Sequence, residues 1–400
     1  MARRVMLHVG TPKTGTSYVQ DVLLANQDSL AEQGILYPAD RHDAHFLAAL
    51  DLMQLPWGGL EEQAVGRWDQ LAEQVRRWDG TAIISHEILG TASRGQVRRA
   101  LTSLGTAEIH IVLSARDLAR QLPAEWQENV KHRRTLTYTA FLDQICDENR
   151  TGQIAQWFWG VQEIPEILDR WAGTIPADRV HLITVPPPGG PREELWNRFA
   201  DTLGVDRDLR PNVERSNVSL GVPEVAMLRR LNELLNDRLP NHYFRELVRE
   251  GLVHRFLAQG SSSARLSLPP QIHEWTVSLS RAWVTALGAQ GYDVVGSLED
   301  LVPQPATGTF TDPDQPDEAE VAGVAVRSLA HVLQETVRMT DELAQVHRDN
   351  ADLMRQIDEL HATASYRAKE RLVALAASNY PARVGLAAYR RLRERNSRSA

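Results

Sequence analysis

His8-Val9-Gly10-Thr11-Pro12-Lys13-Thr14-Gly15-Thr16-Ser17-Tyr18 is the stretch whose reading decides the fold. The apolar residues leading into it, Val5 to Val9, suit a buried strand. From Thr16 the pattern suits a helix running to Gln33, with Gly34 as the residue just past its end. A strand, a glycine-bearing turn and a helix N-terminus together make an anion site. Main-chain N–H groups and the positive end of the helix dipole converge on one place. Thr14, Thr16 and Ser17 add hydroxyl groups and Lys13 adds a full charge. A ligand carrying phosphate or sulfate is expected there.

The spacing narrows the ligand. A triphosphate-binding loop has Gly, four residues, Gly, then Lys and Ser or Thr. Gly10 and Gly15 keep that interval, but Thr16 stands where the lysine belongs and the lysine lies inside the loop at position 13. The chain has only three lysines, Lys13, Lys131 and Lys369, and uses arginine nearly everywhere else. A lysine inside the loop is therefore a pointed choice.

Pro12-Lys13-Thr14-Gly15-Thr16-Ser17 followed by Tyr18 resembles the 5′-phosphosulfate loop of sulfotransferases that use 3′-phosphoadenosine 5′-phosphosulfate (PAPS). The resemblance covers residues 1–220 by motif and element order. It implies a P-loop-like α/β fold, PAPS as sulfate donor, PAP as product, and no metal. It also implies that Gly10, Pro12, Lys13, Thr14, Gly15, Thr16, Ser17 and Tyr18 hold the donor, with Lys13 stabilising the leaving phosphate. In that family an Arg after a strand, with a Ser eight residues on, grips the 3′-phosphate. Arg116 matches the Arg, but Ala124 stands in the Ser position. Arg120, one helical turn from Arg116, and the polar run Arg215-Ser216-Asn217-Val218-Ser219 are the substitutes the sequence offers.

The acceptor needs a base. Family members use a His or a Glu near the end of an early strand, and Ser85-His86-Glu87 offers both. Neighbours on an extended strand point to opposite faces, so one of the two is expected to face the crevice. Glu87 is the first choice and His86 the second. A carboxyl in a partly dry cleft is expected to have a raised pKa. His8 reads as a core residue; His42 and His45 lack a third ligand at metal-like spacing. Trp157, Phe158, Trp159 and Trp171 fit a core, a lid or a stacking surface equally.

The rest of the chain supports an α/β architecture. Apolar runs at 81–85, 108–115 and 180–185 alternate with helical patterns, which predicts a parallel central sheet in a three-layer domain. Ligands of such sheets bind beyond the carboxyl ends of the strands. The loop, His86-Glu87 and Arg116 all follow strands. Residues 222–300 read as a helical extension, so the catalytic-type domain is placed at 1–301. The Pro- and Asp-rich stretch 302–320 reads as a flexible acidic linker. A heptad follows within a coiled coil at 321–362. Position a falls at Leu329, Thr336, Leu343, Asn350 and Ile357, and d at Val332, Met339, Val346, Leu353 and Leu360. Eight of these ten are apolar, and Asn350 at an a position favours a parallel homodimer in fixed register. The alternative is a helix folded back on the main domain.

Net charge is −8, and hydrophobic residues make up 42%. This argues against general nucleic-acid binding. Residues 365–400 alone carry about +7, with Leu, Tyr and Val interleaved, leaving about −15 for the rest. That basic tail (363–400) suits an anionic membrane surface or a solvated terminus. A single cysteine, Cys146, excludes an intrachain disulfide. With no leader-like or membrane-length apolar segment, the expected place is the cytoplasm, with peripheral contact at the inner membrane face through the tail. The leading expectation is sulfuryl transfer to a hydroxyl or amine of a carbohydrate, glycolipid or other small metabolite. An ATP-dependent small-molecule kinase and a non-catalytic nucleotide-binding scaffold dimerising through its coiled coil are the alternatives.

Overall fold

Strand β1 (Arg4–His8) is the centre of the structure because it is apolar toward both faces. Val5 and Leu7 pack on one side and Met6 on the other, all buried. Such a strand needs a partner layer on each face, and it has one. The computed structural model describes residues 3–191, 193–209, 219–236, 238–259, 263–378 and 384. Within it, β1 is joined by β2 (Ile35–Leu36), β3 (Thr81–Ser85), β4 (Glu108–Ala115), β5 (Val180–Thr184) and β6 (Asp293–Val295). The six strands form one parallel sheet in the order β2-β3-β1-β4-β5-β6. One face buries Val5, Leu7, Ile84, Ile111 and Leu182 with Trp68, Trp126 and Trp171. The other buries Met6, Ile83, Val112 and Ile183 with Val22, Trp196 and Phe199. Helices on both faces of a parallel sheet make the expected three-layer α/β fold.

The helices used below are α1 (Thr16–Ala25), α2 (Ala44–Met53), α3 (Leu118–Lys131), α4 (Gln153–Gln162), α5 (Glu194–Leu203), α6 (Pro270–Gly288) and α7 (Glu318–Ala362). The helix expected over 16–33 is two helices. Asn26 interrupts it, its side-chain amide donating to the Val22 carbonyl at 2.8 Å, and a second helix covers Gln27–Glu32. Gly34 ends that one with φ +76°, as expected. The reading of 222–300 as helical misses β6, three residues that extend the sheet beside β5. Phe158, Trp159 and Trp171 are core residues; the Trp171 indole donates to the Leu89 carbonyl at 3.0 Å.

The chain divides into two units after Ser328. The first unit includes the stretch expected to be a flexible linker. It is fastened instead: the Asp314 carboxylate accepts from the Tyr138 and Thr139 N–H groups, both at 2.8 Å. Those are free donors at the start of the helix Tyr138–Cys146, so Asp314 acts as a cap supplied from a distant part of the chain. The second unit contains most of α7, and its heptad residues from Leu329 to Leu360 stand 44 to 62% exposed where they are apolar. Among the described residues no helix is long and apolar enough to cross a membrane. Most of the basic tail lies outside the described residues.

Asp314→Ala should lower stability by about 1–2 kcal/mol, the usual cost of losing a cap. Urea unfolding followed by circular dichroism should show a lower midpoint with the slope unchanged. An unmoved midpoint would mean that the Asp314 cap contributes nothing to the fold.

Candidate anion-binding site at the strand ends

The ladder between β1 and β4 does not stop where β1 stops. Val9 N–H donates to Val112 O (3.0 Å), Thr11 N–H to Ser114 O (2.8 Å) and Ser114 N–H to Gly10 O (2.6 Å). The loop is therefore sewn to β4 by main-chain bonds. Below it His8 spans both neighbouring strands, with Nδ1 2.8 Å from Ser85 Oγ and Nε2 3.1 Å from Ser114 Oγ. Burial holds His8 down at about 4, so the ring is neutral, and it is a core residue as expected.

The loop's carbonyls and the hydroxyls of Thr11 and Thr14 are turned inward, Thr11 Oγ1 donating to Ser114 O at 3.1 Å. Thr14 Oγ1 donates to Thr11 O at 2.6 Å and lies 2.5 Å from Ser114 Oγ. Pro12 O accepts from the side-chain amides of Gln121 (2.6 Å) and Gln162 (3.4 Å). Thr14 is thus buried and committed within the loop, not offered as a free hydroxyl. Thr16 is also buried, and Ser17 is the exposed hydroxyl of the first helical turn. Tyr18 packs edge-on against Trp196 of α5.

Main-chain N–H groups are treated in the opposite way. Among the described residues none accepts from the N–H of residues 13–18; the first intrahelical bond of α1 begins at Val19 N–H, which donates to Gly15 O at 3.1 Å. Gly15 caps the helix with φ +88° and has no side chain to satisfy these donors. Lys13 also has positive φ, +63°, a conformation that costs a side-chain-bearing residue on the order of 1–2 kcal/mol. Six N–H groups without a partner among the described residues, at a helix start beside a lysine with positive φ, are the geometry an anion would need.

Glycine at position 10 lets a second element approach. A Cβ there would lie 3.0 Å from Glu87 O, and φ is +121°. Strand β3 ends at Ser85, so His86 and Glu87 do not alternate as strand neighbours would. His86 is extended and its Nδ1 accepts from Ile88 N–H at 3.3 Å; Glu87 begins a short 3-10 turn, Glu87–Thr91. The His86 ring lies against Phe46 of α2, with centroids 5.2 Å apart. The Glu87 carboxylate accepts from the Gln20 amide at 3.3 Å. Burial pushes Glu87 up, but His86, the residue's own main-chain N–H, Gln20 and His8 together hold it below the usual carboxylate range. The raised pKa expected for Glu87 is therefore not found: its cleft is dry but lined with donors.

At the end of β4, Arg116 donates from Nε to Gln121 Oε1 (2.8 Å) and from Nη2 to Arg120 O (3.1 Å). Burial and the neighbouring Arg120 push it down to about 10, so it stays charged at neutral pH. Arg120 does not serve as a second phosphate grip. Its guanidinium is taken by Asp117 and by the carbonyls of Pro186 (3.0 Å) and Val185 (3.4 Å). Residues 210–218, with Arg215, Ser216, Asn217 and Val218, lie outside the described residues. His42 is exposed and pairs with Asp21, whereas His45 is buried between Pro38 O and Ser85 N–H, so the two do not share a face. Among the described residues no group of three or more side chains is arranged to hold a metal.

Sequence reasoning missed the helix that faces the loop. Lys13 Nζ lies 2.6 Å from Glu128 Oε2 on α3. Burial alone would raise the Glu128 carboxyl, but the hydrogen bond from His132 and the charges of Lys13 and Lys131 hold it well below the carboxylate range. Glu125, one turn earlier, is buried and pushed up by burial and by Glu128, against the pull of Lys13 and Arg116. Gln121, Glu125 and Glu128 recur at helical spacing, but nothing local ties such a pattern to a loop more than 100 residues away.

No family model and no curated protein matches the chain. A solved structure described as a sulfotransferase from Alicyclobacillus acidocaldarius overlays with a TM-score of 0.37 at 18% identity, covering 62% of this chain and 97% of that one.

His8 and His45 are each held at about 4 against 6.5 for a free histidine, and His86 is lowered as well, in each case chiefly by burial. The unfolded chain therefore binds more protons than the native one between these values, and stability should rise with pH from about 4 to 6.5. Denaturation across that window should show uptake of about two to three protons on unfolding. His8→Gln should reduce this slope by about one proton; an unchanged slope would place a charged His8 in the native core.

Proposed function

We propose that the chain is a sulfotransferase that takes PAPS as donor and sulfates a hydroxyl or amine of a carbohydrate, glycolipid or other small metabolite. The observation that carries this reading is the loop itself: six N–H groups at residues 13–18 without a partner among the described residues, with the lysine inside the turn rather than after it. An anion with a 5′-phosphate fits those donors, and Ser17 adds an exposed hydroxyl. Lys13 carries three N–H donors and uses one on Glu128, so two are free for the phosphate that leaves when the sulfuryl group departs. Arg116, held flat by Gln121, is the cation for a second phosphate, a role in which Ala124 gives it no help.

Glu87 suits the base. It is ionised at neutral pH and so has room for a proton. His86 suits the role less well, because its Nδ1 already accepts from Ile88 N–H. The neutral ring then has its proton on Nε2, which donates rather than accepts.

Oligomerisation is read from the heptad. An exposed Leu, Val, Met and Ile stripe from Leu329 to Leu360 buries itself most simply against a second copy, and Asn350 fixes a parallel register.

Calorimetry should show PAP binding in preference to ATP with Mg²⁺; tight ATP binding without PAP binding would sink the proposal. With labelled PAPS and a cell lysate as acceptor source, Lys13→Ala should lower transfer by about 100-fold or more. Glu87→Gln should lower it by about 100- to 10,000-fold with PAP affinity intact. For the dimer, Leu343→Asp combined with Leu353→Asp in the full chain should give a monomer in sedimentation. A dimer that survives both substitutions would assign assembly to another surface.

A further inference from the structure

Seven of the ten tryptophans donate their indole N–H inside the fold, Trp159 to Ile145 O and Trp126 to Leu136 O among them, both at 3.0 Å. A tryptophan that serves only as core normally places its N–H in this way. Among the described residues the indole N–H groups of Trp57 and Trp157 have no such partner. The two depart from the habit together, because their rings lie against each other with centroids 5.6 Å apart. Trp157 is half-buried, and Trp57 is 37% exposed.

These two rings continue into a row that ends at the crevice. Trp57 stands edge-on to Phe46 of α2 at 5.5 Å, and Phe46 lies against the His86 ring at 5.2 Å. The next residue is Glu87, whose carbonyl oxygen closes on Gly10 of the loop. The other end of the row is tied to the same loop. Trp157 belongs to α4, and Gln162 at the end of that helix donates to Pro12 O at 3.4 Å. The main chain of Trp57 is pinned on both sides: Glu61 Oε2 accepts from the Trp57 and Gly59 N–H groups at 2.9 and 3.0 Å, and Trp57 O accepts from Leu60 N–H at 3.1 Å. An exposed indole fastened in this way needs little further ordering when a ligand arrives.

We propose that Trp57, with Phe46 and Trp157 beside it, is the surface on which a sugar ring of the acceptor stacks. The proposal rests on the sulfotransferase reading and narrows its acceptor to a carbohydrate. A pyranose has a flat C–H face and a rim of hydroxyls. An indole has the matching pair, an apolar face and an N–H donor at its edge. An aryl acceptor would use the faces and leave both donors idle, and an alkyl chain would have no use for either donor. Because the row ends at His86, next to Glu87, a ring stacked along it brings its hydroxyl rim toward the proposed base.

The test uses the full chain, labelled PAPS, and defined acceptors: the methyl pyranosides of glucose, galactose, mannose and N-acetylglucosamine, with 2-naphthol and 1-hexanol as acceptors lacking a sugar ring. At least one pyranoside should be sulfated. Trp57→Ala should raise its KM by at least tenfold, leave kcat within threefold and leave PAP affinity within twofold; Trp57→Phe, which keeps a ring but no N–H, should fall between. An unchanged KM in Trp57→Ala overturns the proposal. So does transfer to 2-naphthol or 1-hexanol with none to the pyranosides. A parallel loss of PAP affinity also overturns it, because it would assign the rings to the adenine of the donor. Should Trp57→Ala fail to fold, Trp57→Leu serves under the same criteria. If wild type binds no PAP and sulfates nothing, the sulfotransferase reading fails. Calorimetry of the same pyranosides on the chain, with and without PAP, then still decides the stacking surface: binding lost in Trp57→Ala upholds it, and no binding or binding that survives the substitution overturns it.

Discussion

The main-chain bonds between Gly10-Thr11 and Ser114 are the constraint on which the site depends. They carry the β1–β4 ladder past the end of β1 and fix the first half of the loop. Once that half is fixed, the loop's polar groups sort by direction. The carbonyls of Gly10, Thr11 and Pro12 and the Thr14 hydroxyl find partners inside. The N–H groups of residues 13–18 do not. A buried carbonyl needs a partner as much as a buried N–H does, so satisfying one set inward frees the other to face a ligand. The positive character of the site is thus a property of the backbone, and Lys13 adds to it rather than creating it.

The surrounding charges follow from burial. His8, His45 and His86 are close to the crevice but neutral at physiological pH, so they add shape and hydrogen bonds without repelling a cation or attracting an anion. Arg116 keeps its charge despite burial, because desolvation moves a guanidinium only part of the way from its high intrinsic pKa. Glu87 stays ionised because donors replace the water it lost. Burial sets the direction in each case, and the group's intrinsic pKa and its charged neighbours decide whether the charge survives.

The parts of this arrangement that were legible in the sequence are those with a local signature. Strand, turn and helix around Gly10 to Gly15 follow from residue type at fixed spacing, and so does the order of the first strands. Asn26 broke a helix that periodicity alone would have continued, through a side-chain bond to Val22 O that hydropathy does not register. β6 escaped notice because three residues are too few for a period. Asp314 turned an acidic, Pro-rich stretch into a fastened one by capping a helix more than 170 residues earlier, and composition carries no information about such a partner. Glu87 kept its expected place but not its expected pKa, since the sign of that shift depends on Gln20 and on a turn geometry that only the fold supplies. For α3 the only clue was the scarcity of lysine. Lysine scarcity singles out Lys13 and Lys131 alike, but nothing in the sequence places both beside Glu128.

That helix explains how the site tolerates Ala124. Gln121, Glu125, Glu128 and His132 fall on one face, at steps of four, three and four residues. Gln121 orients Arg116 and holds Pro12 O; Glu128 holds Lys13. Ala124 lies on α3 next to this stripe and brings no polar group to it. Gln121 and Glu128, before and after it, hold Arg116, Pro12 O and Lys13 without help from position 124. The loop after β1 offers a general attraction for an anion through backbone groups, which depend on glycine at positions 10 and 15. The polar face of α3 adds side chains that set where Lys13 points and what Arg116 bonds to. Selectivity for one anion over another is therefore to be sought in the loop and α3 together, because Lys13 belongs to the first and is held by the second.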